Sequence, residues 1–171
     1  DARSSTAGPP DQPSVRVWSQ RGVNGIDGLV SGALGAAAAA RTPSVALIGD
    51  VTFLHDLGGL GAARELQTPL ALVVVDNGGG QIFADLPIQK TLEGRPELAR
   101  YWLTPHGLDF AHAAALFGLP YARAESCGAL EAALTAALGR GGVSLVHAQV
   151  RPDSVRALRA EIRRRFSAAI E

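Results

Sequence analysis

The sequence contains no methionine, a single cysteine and no long apolar run. Cys127 has no second cysteine to pair with, so an intrachain disulfide is excluded, and nothing near it in the sequence suggests a reactive thiol. No stretch approaches the about 20 apolar residues that cross a bilayer. These absences predict a cytoplasmic protein without a transmembrane segment. Because the chain lacks methionine and begins at Asp1, we also expect it to be part of a longer protein.

The charges of the chain cancel. Lys and Arg together count 16, as do Asp and Glu, so the formal net charge at pH 7 is +0. Such a chain has no long-range field to attract polyanions, which disfavours nucleic acid as a partner. Hydrophobic residues make up 47% of the 171 positions, enough for one domain with its own core. We interpret the Pro-rich segment 1–14 as a linker and residues 15–171 as that domain.

Apolar runs of strand length alternate with helical segments along the chain. Continuous runs at 44–48, 69–75 and 143–150 are typical of strands buried on both faces. Helices are predicted at 29–41, 56–67, 108–117, 128–138 and 153–170, and shorter strands at 15–18 and 120–124. Segment 81–104 is predicted to be irregular, with a short helix at 96–102. This alternation predicts an α/β fold with a doubly wound, mostly parallel sheet flanked by helices.

Polar and glycine residues follow two of the predicted strands. Gly49 and Asp50 come directly after the strand at 44–48, and Asn77 with a run of glycines follows the strand at 69–75. Both side chains should lie at the carboxyl edge of the sheet, where open α/β sheets bind ligands. A carboxylate, a carboxamide oxygen and a backbone carbonyl suit Mg²⁺ and leave it positive enough to hold a diphosphate. Each motif alone is also common as a helix cap or turn, but their pairing favours a cation site.

Four segments carry a resemblance to a known family: RGVNGIDG at 21–28, GDVTFLHDLGGL at 49–60, PLALVVVDNGGGQIF at 69–83 and TPHGLDFAHAAALFGLP at 104–120. The Gly-Asp pair followed by Asn one strand-helix-strand unit later resembles the cofactor motif of thiamine diphosphate enzymes. Together the segments resemble the 2-succinyl-5-enolpyruvyl-6-hydroxy-3-cyclohexene-1-carboxylate synthases of menaquinone biosynthesis. This resemblance implies the C-terminal, cofactor-binding domain of a larger transferase. Val51 and Asp76 depart from the general motif without removing a metal ligand.

The resemblance also implies individual roles. Asp50 and Asn77 would bind Mg²⁺ through their side chains and Gly79 through its carbonyl. Contacts with thiamine diphosphate are implied for Ile26, which props the cofactor in its bent conformation, and for Gly49, Val51 and Thr52. Contacts with substrate are implied for Arg21, whose planar fork of donors suits a carboxylate, and for Ile82 and Phe83, which line the acceptor pocket.

As a whole enzyme, such a protein would decarboxylate 2-oxoglutarate and add the succinyl carbanion equivalent to isochorismate, acting as a homo-oligomer, either dimer or tetramer. In the family, the glutamate that activates the cofactor comes from the N-terminal domain of a partner subunit. No catalytic residue is therefore predicted in this chain, and the isolated chain is expected to be inactive.

Two alternatives stay open. One is another thiamine diphosphate-dependent 2-oxo acid decarboxylase or an acetolactate synthase-like enzyme. The other is a non-catalytic phosphate-binding module, against which the absence of GxGxxG after any predicted strand counts.

The four histidines allow more than one interpretation. His55 lies one turn after Asp50 and could face the cofactor or merely pack at a helix start. His106, His112 and His147 are predicted to have core or surface roles.

Overall fold

The computed structural model describes residues 3–7, 15–20, 23, 25–152, 158 and 161–167. Near the start of the chain, strand β1 (Arg3–Ala7) pairs antiparallel with strand β2 (Val15–Ser19). The strand predicted at 15–18 is thus confirmed, although it belongs to this two-stranded sheet and not to the larger one. Part of the segment that we interpret as a linker, 1–14, is itself a strand.

The larger sheet is parallel, as the alternation of elements predicts. It contains β3 (Ser44–Gly49), β4 (Leu70–Asp76), β5 (Tyr121–Ala124) and β6 (Val143–Gln149) in the order β3-β4-β6-β5. All three pairings between neighbours are parallel, so the carboxyl ends of the strands meet at one edge. The strands begin and end within two residues of the predicted bounds.

Helices connect the strands and cover both faces of the sheet. They are α1 (Leu29–Ala40), α2 (Asp50–His55), α3 (Ile88–Leu92), α4 (Pro96–Leu98), α5 (Phe110–Phe117) and α6 (Cys127–Leu138). Asp109 caps α5 by accepting a hydrogen bond from the Ala111 amide, and Ser126 caps α6 by accepting one from Ala129. Residues 158 and 161–167 are also helical, as predicted, whereas the rest of 153–170 lies outside the described residues.

Alternation along the strands builds two separate cores. On one face of β4, Leu70, Leu72 and Val74 pack with residues of α1, α2 and α5 such as Val30 and Phe110. On the other face, Ala71, Val73, Val146 and Ala148 pack with Ala137 of α6. Because side chains alternate, Asp76 continues the first series, and His147 follows Val143 and Leu145 on that same face.

Two segments differ from the prediction. The helix expected at 56–67 is a 3₁₀ helix, Leu57–Glu65, that follows the short helix α2. Gly58, Gly59 and Gly61 explain the difference, because glycine favours neither a regular helix nor a single backbone conformation. Segment 81–104, predicted to be irregular apart from a short helix at 96–102, is a series of short helical turns: Gln81–Asp85, α3, α4 and Ala99–Leu103. The last two contain the predicted short helix. Within the described part of the chain, no helix is long and apolar enough to cross a membrane.

Candidate functional site

Asp50 is the first residue of α2, directly after the end of β3. The residue is buried, with 3% of its surface exposed. Oδ1 accepts a 2.8 Å hydrogen bond from the Val51 amide, and Oδ2 accepts one of 2.8 Å from the Gly79 amide. The turns after β3 and β4 therefore meet, as the sequence predicts.

The turn after β4 is fixed by backbone and side-chain hydrogen bonds. Asp76 accepts a 2.8 Å bond at Oδ1 from the Gly78 amide, and the Gly80 amide donates one of 2.7 Å to the Leu103 carbonyl. Gly79 has φ 138°, and a Cβ placed there would collide with the carbonyl oxygens of Leu103 and Thr104. Glycine is therefore required at this position, because its backbone approaches a neighbouring loop too closely for a side chain.

Asn77 occupies the centre of this turn. Its side-chain oxygen Oδ1 is buried and, among the described residues, has no hydrogen-bond partner. A buried acceptor without a partner is costly, so such an atom is typical of a ligand position. The carbonyl of Gly79 accepts a hydrogen bond of 2.8 Å from the Gln81 amide, which leaves its second lone pair for a cation. The residues predicted as Mg²⁺ ligands thus fit a hard cation by donor type.

A network of two histidines adjoins these residues. The Leu108 amide donates to Nδ1 of His106, so Nε2 carries the proton of the neutral ring and lies 3.2 Å from Asp50 Oδ2 and 3.6 Å from Asp76 Oδ1. His147 contacts the other oxygen of Asp76, with 2.8 Å between Nε2 and Oδ2. Its Nδ1 lies 2.9 Å from the hydroxyl of Tyr121.

The network determines the ionisation of Asp76. Burial raises the pKa of this carboxyl, but its hydrogen bonds with His147 and the Gly78 amide outweigh the burial, so the pKa lies below 3.8. Asp76 is therefore a carboxylate at neutral pH. Burial and the nearby charge of Asp109 raise the pKa of Tyr121, which keeps its hydroxyl protonated.

A second possible ligand set overlaps the first. Asp50, Asp76 and His106 each offer one ligand atom, and these atoms all lie within 4.8 Å of one another. A cavity of about 300 Å³ opens beside the turn after β4, lined by residues 76–78 and 106–108 and by Gln149, Val150 and Pro152. The site thus combines two buried carboxylates with space for a polar ligand at the carboxyl edge of the sheet.

The remaining predicted residues that the structure describes differ in their exposure. Ile26 lies half-buried in the turn before α1, and Gly49 precedes Asp50 as the N-cap of α2, on which Val51 and Thr52 are half-buried. Ile82 is 72% exposed, and Phe83 is 39% exposed with its ring centroid 6.0 Å from that of Trp102. Arg21 lies outside the described residues.

The other predicted polar residues stay at the surface. His55 lies 3.8 Å from Asp27, and both side chains are exposed. His112 and Cys127 are exposed as well.

Sequence reasoning missed three residues of the network: His106, His147 and Tyr121. His147 was expected to have a core or surface role, and its side chain is indeed buried, but it binds Asp76. One signal was available, because a histidine inside the apolar run 143–150 must find a polar partner within the core. The identity of that partner depends on strand order, which the sequence does not reveal.

The chain is thus an α/β domain with polar side chains gathered at the carboxyl edge of a parallel sheet, the class of domain that binds ligands at this edge. A family model described as "Thiamine pyrophosphate enzyme, C-terminal TPP binding domain" matches residues 13–148. The chain belongs to this family.

The chain is also similar to curated proteins named 2-succinyl-5-enolpyruvyl-6-hydroxy-3-cyclohexene-1-carboxylate synthase. It is 48% identical over 148 residues to the protein of Sorangium cellulosum and 38% identical over 159 residues to that of a Roseiflexus species. These alignments cover 84% and 92% of the chain but 24% and 26% of the relatives. The chain thus spans about a quarter of the length of the relatives it matches.

Solved structures share the fold. Benzoylformate decarboxylase from Polynucleobacter necessarius aligns with a TM-score of 0.64 and 22% identity, over 75% of this chain and 24% of that one. A thiamine diphosphate-dependent 4-hydroxybenzoylformate decarboxylase from Rhodococcus jostii aligns with a TM-score of 0.56 and 22% identity, over 71% of this chain and 23% of that one. The predicted fold class is confirmed.

Proposed function

We propose that this chain supplies the diphosphate and Mg²⁺ site of a thiamine diphosphate-dependent synthase. The observation that carries the proposal is the buried oxygen Asn77 Oδ1, which has no partner among the described residues and lies in the turn whose Gly79 amide binds Asp50. Asp50, Asn77 and the Gly79 carbonyl would hold the ion, and oxygens of the cofactor diphosphate would complete its coordination.

The other residues would position the cofactor and the acceptor. Thiamine diphosphate, when bound, supplies the carbanion chemistry of 2-oxo acid decarboxylation. Ile26 would support the bent cofactor, and Gly49, Val51 and Thr52 would contact it at the start of α2. Ile82 and Phe83 are apolar but exposed, which suits an acceptor pocket that another part of the protein completes. Arg21 would bind a substrate carboxylate through paired donors.

For the whole protein we propose the decarboxylation of 2-oxoglutarate and the addition of the resulting succinyl unit to isochorismate in menaquinone biosynthesis. The support is the likeness to proteins named as synthases of this kind, of which this chain covers about a quarter. We further propose that residues 15–171 form the cofactor-binding domain, that the activating glutamate belongs to another domain, and that the enzyme works in the cytoplasm as a homo-oligomer.

Calorimetry tests the proposed site directly. The chain is titrated with thiamine diphosphate in MgCl₂, and thiamine without the diphosphate, or NAD, replaces the ligand in parallel titrations. Of these three ligands, we expect only thiamine diphosphate to give heat of binding. D50N should lose this binding. E131Q, which alters an exposed acid on α6, should bind thiamine diphosphate like the unaltered chain. Equal binding of D50N and the unaltered chain, or binding of NAD in preference, would contradict the proposal.

For the whole enzyme, turnover of 2-oxoglutarate with isochorismate is compared with turnover of pyruvate. Preference for pyruvate would favour an acetolactate synthase-like enzyme instead.

A further inference from the structure

The structure concentrates its buried polar groups at one place. Within the described residues, the buried polar or charged side chains are those of Asp50, Asp76, Ser144 and His147. Ser144 lies near the start of β6, and the other three lie at the carboxyl edge of the sheet. Buried ionisable groups cost stability unless they are paired, so a cluster of three at this edge calls for a reason beyond packing.

A chain of hydrogen bonds leads from β5 to the turn after β4. The Tyr121 hydroxyl lies 2.9 Å from Nδ1 of His147, whose Nε2 lies 2.8 Å from Oδ2 of Asp76. The other oxygen of Asp76 accepts a 2.8 Å bond from the Gly78 amide. His147 and Asp76 each use one polar atom toward β5 and another toward the turn, so the orientation of one fixes the orientation of the other.

Packing restricts the central ring to one orientation. His147 is 2% exposed, and its ring lies edge to face against Phe110 with 5.0 Å between the centroids. Strand register places His147 opposite Val74 of β4 and Arg123 of β5, two residues before Gln149, which lies opposite Asp76. The imidazole therefore reaches forward along the sheet edge to the carboxylate.

We propose that His147 and Tyr121 are positioning residues of the cation site, which hold the Asp76 carboxylate and, through the Gly78 amide, the turn that presents Asn77 and Gly79. This inference rests on the proposed function, because holding the turn in place affects cation binding only if Asn77 and Gly79 are ligands of the cation. The hydrogen bonds of these two side chains lead to Asp76 and not to Asp50, Asn77 or Gly79, so both residues act through Asp76. His106 contacts Asp50 directly and is left out of the test.

The test measures the affinity of the full chain for Mn²⁺ in excess thiamine diphosphate, by the electron paramagnetic resonance of free Mn²⁺. Loss of an outer partner of a metal site typically weakens metal binding about 10- to 100-fold, and we expect a rise of this size in the dissociation constant of H147L. H147Q keeps a donor for Asp76 and should restore most of the loss. Y121F removes a single hydroxyl and should weaken binding less than H147L.

A control variant in the same strand distinguishes the proposed positioning role from a general loss of folding stability. V143A removes buried methyl groups at the opposite end of β6 and destabilises the same core without contacting the turn. Urea unfolding in EDTA gives the stability of each variant. The ¹H NMR shift of the Gly78 amide in the metal-free chain reports its bond to Asp76, and it should change in H147L and Y121F but stay the same in V143A.

The outcomes are distinguishable. Two results together support the inference: H147L and Y121F bind Mn²⁺ more weakly than V143A at comparable folding stability, and the shift of the Gly78 amide changes in both variants. Equal binding in H147L and V143A overturns it and leaves the proposed function standing. If the unaltered chain does not bind Mn²⁺ with thiamine diphosphate, the proposed function and this inference both fail. Should H147L fail to fold, Y121F decides in its place.

Discussion

The Gly79 amide donates a 2.8 Å hydrogen bond to Oδ2 of Asp50, across the ends of two neighbouring strands. One carboxylate thereby fixes the start of α2 through the Val51 amide and the turn after β4 through Gly79. A cation bound at Asp50 would find the second turn already in place. Such prior ordering reduces the conformational entropy that ligand binding must overcome.

The close approach of Gly79 to the loop at 103–104 predicts different effects for alanine at adjacent glycines. Gly78 and Gly79 both have positive φ, 83° and 138°, but a Cβ at Gly78 meets open space. We expect G78A to cost about 1 kcal/mol of unfolding free energy from backbone strain alone. G79A adds a collision with two carbonyls and should cost roughly 2 to 4 kcal/mol. Urea unfolding of both variants measures the difference, and equal costs would contradict the described turn.

The hydrogen bonds of Asp76 predict a contribution to stability that depends on pH. The folded-state pKa lies below the reference value of 3.8, so the contribution is fully present above pH 3.8 and is lost as the pH falls through the folded-state pKa. At pH 7, D76N loses charge-assisted bonds to His147 and Gly78 and should be less stable by about 2 kcal/mol.

Urea unfolding at pH 7 and at several values below 3.8 tests this expectation. The difference between the unaltered chain and D76N should shrink as the pH falls. E131Q, an exposed acid-to-amide change, serves as the control. A difference that is constant with pH would show that the carboxylate form of Asp76 does not stabilise the fold.

Local sequence was sufficient to predict the main strands and the junction at Asp50. Continuous apolar runs mark β3, β4 and β6 because both faces of a parallel sheet are covered, and the polar residue after each run marks the carboxyl edge. The pairing of β1 with β2 escaped prediction because the prolines of segment 1–14 favour a connection over a strand.

The histidine network escaped prediction for a different reason. His106 and Asp50 are 56 positions apart, and His147 and Asp76 are 71 positions apart. Only the placement of β6 beside β4 brings the second pair together. From the sequence, Asp76 is only a departure from the general cofactor motif. The structure pairs its carboxylate with His147, which lies far along the chain.

The isolated chain should not catalyse the proposed reaction. The resemblance assigns the activating glutamate to another domain, and the predicted acceptor-pocket residues Ile82 and Phe83 are exposed in this chain. We expect no consumption of 2-oxoglutarate above the buffer rate when the chain is assayed with isochorismate, thiamine diphosphate and MgCl₂. Turnover under these conditions would mean that this chain contains its own activating group.

Replacement of Asn77 should cost little folding stability but should abolish the Mg²⁺-dependent binding of thiamine diphosphate. Its buried Oδ1 lacks a partner among the described residues, so a similarly shaped apolar side chain relieves an unsatisfied polar group. We expect N77L to leave the metal-free chain unchanged or more stable by about 1 kcal/mol, while abolishing Mg²⁺-dependent binding of thiamine diphosphate.

Ser144 provides the matched control for this prediction. Its Oγ is also buried without a partner in the described part of the chain, but it lies near the start of β6, away from the carboxyl edge. S144A should likewise leave the metal-free chain at least as stable and should bind thiamine diphosphate with Mg²⁺ like the unaltered chain. Urea unfolding in EDTA and calorimetry with MgCl₂ give both quantities for both variants. Retained binding in N77L would remove Asn77 from the ligand set, because an unsatisfied oxygen at the strand end would then be a packing defect like that of Ser144.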